Sequence, residues 1–174
     1  MNYKYIDLKN QKDLIEGVIL RKLTIHKDQS GILFETLRNE WSDVINSKMP
    51  FKMQYMSQTP PRIARDEGQW HVHKFQKDRF ICVSGRIVVA IYDSREASKT
   101  KGTLNLFVMG PEKEEEMFMV VIPENTYHGF LVISNQDGYL LNFPTQIYNP
   151  KDEGRVHHSN EFSWQKVRED FASK

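Results

Sequence analysis

The chain has 174 residues, of which 39% are hydrophobic and 11% aromatic, and its formal net charge at pH 7 is +1. This composition suffices for one hydrophobic core, so we interpret residues 1–174 as a single domain. Acidic and basic residues are nearly equal in number and form no basic stripe, which argues against nucleic acid as a partner.

Two further features bear on where the protein works. The first residues, MNYKYIDLKNQKDLIEG, are rich in charge and no long uncharged apolar stretch follows, so neither a leader peptide nor a membrane span is predicted. Cys82 is the only cysteine, which excludes an intramolecular disulfide and is typical of a reducing compartment. The sequence therefore predicts a cytoplasmic protein with no membrane partner.

Short β-type runs separated by turn residues begin with VILRKLTIH. In the next stretch, GILFETLRNEWSDVINS, apolar side chains recur at helical spacing, and we expect a short helix over one end of a sheet. The densest β signal is RFICVSGRIVVAIYD, in which Ser84 and Gly85 join two apolar runs and predict a hairpin.

The second half of the chain continues the β pattern with TLNLFVM, MFMVVIP, GFLVIS and GYLLNF at regular intervals. The final stretch, FSWQKVREDFASK, predicts one amphipathic helix at about residues 163–172. Many short strands without alternating helices favour an all-β fold, and we predict an antiparallel jelly-roll barrel with short peripheral helices.

The stretch WHVH places His71 and His73 on one face of a strand, because alternate side chains of a strand share a face. Asp78 and then Gly85 follow at a spacing that resembles the His-x-His motif of the cupins, with Asp in place of their usual Glu. The resemblance implies a cupin-type jelly roll in which both histidines point inward.

A second cupin-like segment is Pro123-x-Asn125-x-x-His128. Cupins have glycine where this chain has Asn125, and asparagine is the replacement that best tolerates a positive φ at such a turn. The resemblance therefore brings His128 into the same interior as the histidine pair.

Three stretches carry a narrower pattern: YDSREASKT, IPENTYHGFLVIS and TQIYNP. In this order they resemble segments of the dTDP-4-dehydrorhamnose 3,5-epimerase family, namely Asp-x-Arg-x-x-Ser-x-Thr, Ile-Pro-x-Gly-x-x-His-Gly-Phe and Thr-x-Tyr-Tyr-x-Pro. The resemblance implies an epimerase that acts on a nucleotide-linked 4-keto-6-deoxy sugar in surface polysaccharide or deoxysugar biosynthesis. It also implies a homodimer and no cofactor.

Inverting a carbon beside a ketone needs a base, a group that holds the enolate oxygen, and an acid on the opposite face. The resemblance places the base at His71 or His73, and we slightly prefer His73, which comes directly before the turn. Arg79, with Lys77 as its rival, is the candidate for holding the ketone oxygen. Tyr148 is the one hydroxyl kept from the family's tyrosine pair and is the candidate acid.

Other contacts to substrate also follow from the resemblance. The residues expected to bind substrate are Glu35, Gln54, Arg65, Lys77 and His128. The family pairs its base with a C-terminal aspartate, but the corresponding stretch here, VHHSNEF, offers only Asn160 and Glu161.

Two alternatives remain open at this stage. His71, His73 and His128 with Asp78 form a set of ligand types that suits zinc, nickel, copper or iron, which would make the chain a metal-binding cupin. The stretch HVHKFQKDRFICVSG also resembles cupin 3,4-ketoisomerases of nucleotide-linked deoxysugars, which move a ketone between neighbouring carbons. The two sugar isomerase hypotheses share a pocket and differ in their products.

Overall fold

The computed structural model describes residues 3–159 and 162–172, so Asn160 and Glu161 of the C-terminal stretch lie outside it. The described residues form short strands, a 3-10 helix at Glu114–Glu116 and an α-helix, α1, at Trp164–Asp170. In chain order the strands are β1 (Tyr3–Tyr5), β2 (Ile19–Lys22), β3 (His26–Asp28), β4 (Gly31–Leu33), β5 (Tyr55–Thr59), β6 (Ala64–Arg65), β7 (Gln69–His73), β8 (Asp78–Ser84), β9 (Ile87–Tyr92), β10 (Leu104–Met109), β11 (Phe118–Ile122), β12 (Tyr127–Val132), β13 (Gly138–Asn142) and β14 (Glu153–His157).

Two sheets enclose the main core. One has seven strands in the order β1-β10-β9-β12-β7-β14, with β6 pairing on β12, and the other has five in the order β2-β11-β8-β13-β5. All pairs are antiparallel except β1 with β10, which run parallel within this chain. Large side chains from both sheets, among them Phe80, Phe107, Phe118 and Phe130, fill the space between them. The predicted jelly roll is confirmed.

Strand alternation decides which side chains enter this space. On β8, Phe80 and Cys82 point into the main core, whereas Ile81 packs on the outer face of the five-stranded sheet. Asp78 lies two residues before Phe80 and therefore faces inward, and Arg79 faces outward with Ile81. The same rule turns His128 of β12 inward with Phe130.

Two sequence predictions about local structure are wrong. Ser84 and Gly85 do not close a hairpin, because β8 pairs with β11 and β13 while β9 pairs with β10 and β12. The turn instead carries the chain from one sheet to the other. Gly85 has a φ of +72°, and a Cβ there would lie 2.5 Å from the carbonyl oxygen of Asp137, so only glycine fits this corner.

The helix expected in GILFETLRNEWSDVINS is also absent from the described structure. Its first residues form β4, and turns follow, the last of which is closed by the Asn46 side chain accepting hydrogen bonds from the backbone of Lys48 and Met49. The apolar side chains still pack on the outer face of the five-stranded sheet, Phe34 and Trp41 among them. The helical spacing thus predicted correctly which side chains are buried, but it predicted the wrong backbone conformation.

The C-terminal helix α1 covers the outer face of the seven-stranded sheet. Ser163 caps its first turn by accepting a hydrogen bond from the backbone of Gln165 at 3.1 Å. Trp164 and Val167 are buried against that sheet. Gly129, the neighbour of His128 on β12, lies under Trp164, and a Cβ there would be 3.2 Å from Cζ2 of the ring. No helix in residues 3–159 and 162–172 is long and apolar enough to cross a membrane.

Candidate active site

A cavity of about 420 Å³ opens at one end of the space between the sheets. Strands β7, β12 and β14 of the larger sheet form one side, and β5, β8 and β13 of the smaller sheet contribute the other. Phe80 and Phe130 form its apolar floor, where it meets the main core. Its polar wall contains all three histidines of the two cupin-like segments, His71, His73 and His128.

The three imidazole rings form a cluster. The ring centroids of His71 and His73 lie 4.7 Å apart, and His71 stacks on His128 at 5.4 Å with an interplanar angle of 18°. This contact follows from the sheet, since His71 and His128 are paired residues of β7 and β12. The loop before β12 adds a further link, because Asn125, with a φ of +60°, donates its backbone N–H to the carbonyl oxygen of His73 at 2.7 Å.

Asp78 lies buried beneath this cluster. Its Oδ1 accepts hydrogen bonds from the side-chain amides of Gln76 at 2.8 Å and Asn142 at 2.7 Å, and its Oδ2 is 3.3 Å from Nε2 of His128. Burial alone would raise the pKa of Asp78, but the hydrogen bond and charge of His128, together with His73 and Asn142, outweigh it, and the pKa falls to about 2. Asp78 is therefore ionised at neutral pH, and its negative charge favours the protonated form of a nearby histidine.

The hydrogen bonds around His73 define its tautomer. Gln76 must direct its NH₂ group toward the ionised Asp78, and the same nitrogen is 3.1 Å from Nε2 of His73, so Nε2 accepts. The ring proton then lies on Nδ1, which is 3.5 Å from Oδ2 of Asp152. Asp152 is itself held by the backbone N–H groups of Lys74 and Phe75. The basic nitrogen of His73 is thus already engaged.

His71 has a looser environment. Its Nδ1 is 3.8 Å from Asp66 and its Nε2 is 3.9 Å from Glu153, and Arg155 binds both carboxylates, at 3.3 Å and 2.6 Å respectively. Neither distance is a hydrogen bond, and Nε2 is buried without a partner in the described structure. Burial, followed by His128, His73 and Arg155, lowers the pKa of His71 to about 4. At neutral pH this ring is uncharged and able to take a proton.

Both ring nitrogens of His128 face oxygen atoms. Nε2 faces Asp78, and Nδ1 is 3.4 Å from the carbonyl oxygen of Thr126. The ring is thus held between a carboxylate on one side and a backbone carbonyl on the other. A positive charge at this position would help to keep the stacked His71 unprotonated.

The same four side chains were the candidate metal ligands. In residues 3–159 and 162–172 no group of three or more histidine, cysteine, aspartate or glutamate side chains is arranged to hold a metal ion. His71 and His128 stack face to face, and Asp78 is saturated by amide and imidazole donors, so the donor atoms do not converge on one point. The geometry does not support the metal-binding alternative.

Comparison with known proteins decides the family. The model for dTDP-4-dehydrorhamnose 3,5-epimerase matches residues 12–170. The chain belongs to this family. The match confirms the expected family and the expectation of an isomerase or epimerase of nucleotide-linked sugars.

Two curated proteins with similar sequences are named for the biosynthesis of a glycan and of a polysaccharide. A probable low-salt glycan biosynthesis epimerase, Agl13, of Haloferax volcanii is 37% identical over 79% of this chain and 83% of its own length. The spore coat polysaccharide biosynthesis protein SpsL of Bacillus subtilis is 31% identical over 87% of this chain and 97% of its own. Among solved structures, a dTDP sugar isomerase from Desulfovibrio desulfuricans G20 has a TM-score of 0.76 and 24% identity, covering 87% of this chain and 92% of its own, which supports the shared fold.

Within this family member, the structure corrects the expectation for Arg79. The side chain is fully buried on the outward face of β8, where its guanidinium donates to the carbonyl oxygens of Val44, Met49 and Phe143. It therefore cannot reach a ketone in the cavity. The alternation that turns Asp78 inward excludes Arg79 from the site.

Three other expected substrate contacts also lie away from the cavity. Lys77 forms an ion pair with Glu124, and Glu35 is exposed and paired with Arg38 at 3.3 Å. Gln54 does not line the cavity, although its neighbours Met53 and Tyr55 do. Of the remaining candidates, Arg65, Tyr148 and His128 line the cavity together with His71 and His73.

Several cavity residues were missed by sequence reasoning. Glu153 and Arg155 of β14 line the cavity and are paired with His73 and His71 across the ladder. Asp152, in the turn before β14, is buried beside His73 without lining the cavity. The carboxylate partner of a catalytic histidine was expected in VHHSNEF, but the carboxylates beside the histidine pair occur just upstream of that stretch. Glu153 and Arg155 are two residues apart and therefore lie on the same face of β14. This spacing is the one signal in the sequence that could have placed them together.

Proposed function

We propose that the chain inverts a carbon next to the ketone of a nucleotide-linked 4-keto-6-deoxy sugar, with His71 as the base. The observation that carries this proposal is His71 itself, which is uncharged at neutral pH and has a buried Nε2 without a hydrogen bond in the described residues, on the wall of a cavity in a member of this epimerase family. His73, which the sequence slightly favours as the base, is less suited because Gln76 engages its basic nitrogen.

Proton abstraction would turn His71 into an imidazolium. Asp66 and Glu153, at 3.8 Å and 3.9 Å, stand where they can close on that cation and stabilise it. The fixed charge of Asp78 lies behind the cluster and acts in the same direction, since it raises the pKa of His71. The base is therefore neutral before the reaction and supported once it has taken the proton.

The other cavity residues suit the remaining tasks. Tyr148 is 68% exposed at the cavity mouth and is proposed to return the proton on the second face of the sugar. Arg65 lines the cavity without a carboxylate partner in the described part of the chain, and we assign it to the diphosphate of the nucleotide. A cytoplasmic location and a homodimer remain predictions from the sequence and the family.

Exchange of solvent deuterium tests the proposal. Wild-type protein in D₂O, given a panel of dTDP- and UDP-linked 4-keto-6-deoxy sugars, should place deuterium on carbon 3 or carbon 5 of at least one of them. His71→Asn should slow the exchange about 10²–10⁴-fold, the usual contribution of a general base. His157→Asn, an exposed histidine of β14 outside the cavity, is the matched control and should exchange at the wild-type rate.

The products separate the outcomes. An inverted sugar that keeps its ketone at carbon 4 supports epimerisation, and a 3-keto product would favour the ketoisomerase alternative. If His73→Asn abolishes exchange while His71→Asn leaves it intact, the assignment of the base is wrong.

A further inference from the structure

The side chain of Asn142 connects the catalytic cluster to a tyrosine that has no assigned role. Its Oδ1 accepts the backbone N–H of Arg79 at 3.0 Å, and its Nδ2 lies 2.7 Å from Oδ1 of Asp78 and 2.9 Å from the hydroxyl of Tyr55. The opposite amide orientation would place NH₂ against an N–H and oxygen against an ionised carboxylate. The surroundings therefore allow one orientation of Asn142.

This orientation fixes the direction of the hydrogen bond to Tyr55. Both hydrogens of the Asn142 amide are donated, one to Asp78 and one to Tyr55, so the phenol oxygen is the acceptor. A phenol hydrogen lies in the ring plane at one of two positions, and the position toward Asn142 is occupied. The Tyr55 hydroxyl donates no hydrogen bond to residues 3–159 or 162–172. Its own proton is left without a protein partner.

Tyr55 also lies on the correct side of its strand. It is the first residue of β5 and lines the cavity together with Ser57, while Met56 between them faces out and is 57% exposed. On the neighbouring strand β13 its paired residue is Asn142, which explains how one amide reaches both Tyr55 and Asp78. Tyr55 thus lines the same cavity as the histidine cluster, and it is 42% exposed there.

We infer that the hydroxyl of Tyr55 donates a hydrogen bond to the ketone oxygen of the substrate and keeps it as that oxygen becomes an enolate. This inference rests on the proposed function. Tyr55 would then hold the ketone oxygen, the role expected of Arg79 from the sequence. Arg79 cannot do this because its guanidinium binds backbone carbonyls on the other face of β8. Arg155 is also unsuited, since Asp66 and Glu153 already bind its guanidinium.

The chemistry balances without transfer of the tyrosine proton. His71 takes the proton from the carbon, the electron pair moves into the enolate, and the negative charge develops on the oxygen that Tyr55 holds. Burial, followed by the charge of Asp78, raises the pKa of Tyr55, so it remains a donor throughout the neutral pH range. A donor fixed in advance where charge develops lowers the barrier without reorganisation.

Tyr55→Phe removes the donor and keeps the ring. We expect solvent exchange into a sugar that the wild type labels to fall about 10²–10³-fold in kcat, the usual effect of losing one oxyanion donor. KM and the affinity for dTDP alone should stay near their wild-type values, because dTDP has no ketone. Tyr139→Phe loses a hydroxyl on β13 outside the cavity and should behave as the wild type.

Two further measurements separate a catalytic role from a structural one. Site-specific replacement of Tyr55 by 3-fluorotyrosine preserves the donor and should restore most of the exchange lost in Tyr55→Phe. The thermal midpoint of Tyr55→Phe should fall only by the few degrees that follow from one Asn142 N–H losing its acceptor, while the affinity for dTDP stays at the wild-type value. A parallel loss of dTDP affinity, midpoint and exchange would overturn the inference in favour of a structural role.

Failure of this inference differs from failure of the proposed function. If Tyr55→Phe exchanges at the wild-type rate, the inference is wrong and the assignment of His71 is unaffected. If the wild type exchanges none of the sugars, the proposed function itself is refuted, and the role of Tyr55 falls with it.

Discussion

Replacing Asp78 by asparagine should destabilise the protein in a way that depends on pH. The carboxylate has a pKa of about 2 in the folded chain against an ordinary value of 3.8. At about 1.4 kcal/mol for each pKa unit, this difference corresponds to roughly 2 kcal/mol of folding free energy carried by the ionised form. The facing His128 is the largest cause of this lowering, and removing one partner of a buried ion pair typically costs about 3–5 kcal/mol, so the two figures bracket the expected loss.

The sign of the pH dependence follows from the lowered pKa. Because the folded pKa lies below the unfolded one, the stabilisation is fully present above pH 3.8 and is lost as the pH falls toward about 2. Urea unfolding of the wild type and Asp78→Asn should therefore differ by about 2–5 kcal/mol at pH 7, and by progressively less below pH 4.

A surface carboxylate provides the control for this measurement. Asp43, whose side chain is 44% exposed, is paired with Arg21, and Asp43→Asn should cost no more than about 1 kcal/mol. Equal stability of wild type and Asp78→Asn at pH 7 would refute the reasoning. So would a difference that stays constant from pH 7 down to pH 3.

Four further predictions concern the base, its neighbour Arg155, the buried Arg79 and the metal content. The ratio kcat/KM should hold as the pH falls from 7 to about 5 and decline only as His71 takes a proton near its pKa of about 4, as a rate–pH profile would show. Arg155→Ala removes a charge that lowers the pKa of His71, so an NMR titration of the imidazole Cε1–H should find this pKa higher than in the wild type. Arg79→Met strands buried carbonyls and should lower the free energy of unfolding by about 3 kcal/mol or more in urea titrations, with little change in the exchange rate of each folded molecule. Protein purified without chelator or histidine tag should carry well below one equivalent of metal by elemental analysis.

The period of two along strands made much of the fold and half of the site predictable. It placed His71 and His73 on one face, and the turn chemistry at Asn125 brought His128 to join them. The same period, applied to β8, would have excluded Arg79 once Asp78 was taken as inward. That step was missed because the resemblance to the family suggested a nearby cation.

Other parts of the site could not be derived from local pattern. The carboxylates of Asp152 and Glu153 reach the histidines only because β14 pairs with β7, a contact between segments about eighty residues apart. The segment after β4 shows a different limit of sequence patterns. Phe34 and Trp41 have helical spacing and pack on the sheet as that spacing predicts, but the backbone that carries them forms turns and no helix. Spacing identifies which residues are buried, and long-range pairing decides which of them meet.

The contact between Gly129 and Trp164 gives the outer helix an influence on the chemistry. Since a Cβ at position 129 would lie 3.2 Å from the indole, any larger residue must push the ring outward or bend β12 inward. His128 is the adjacent residue on that strand and would shift against His71 and Asp78. Changes beneath α1, on the side of the sheet remote from the sugar, can thus retune the catalytic histidines while every cavity side chain stays the same.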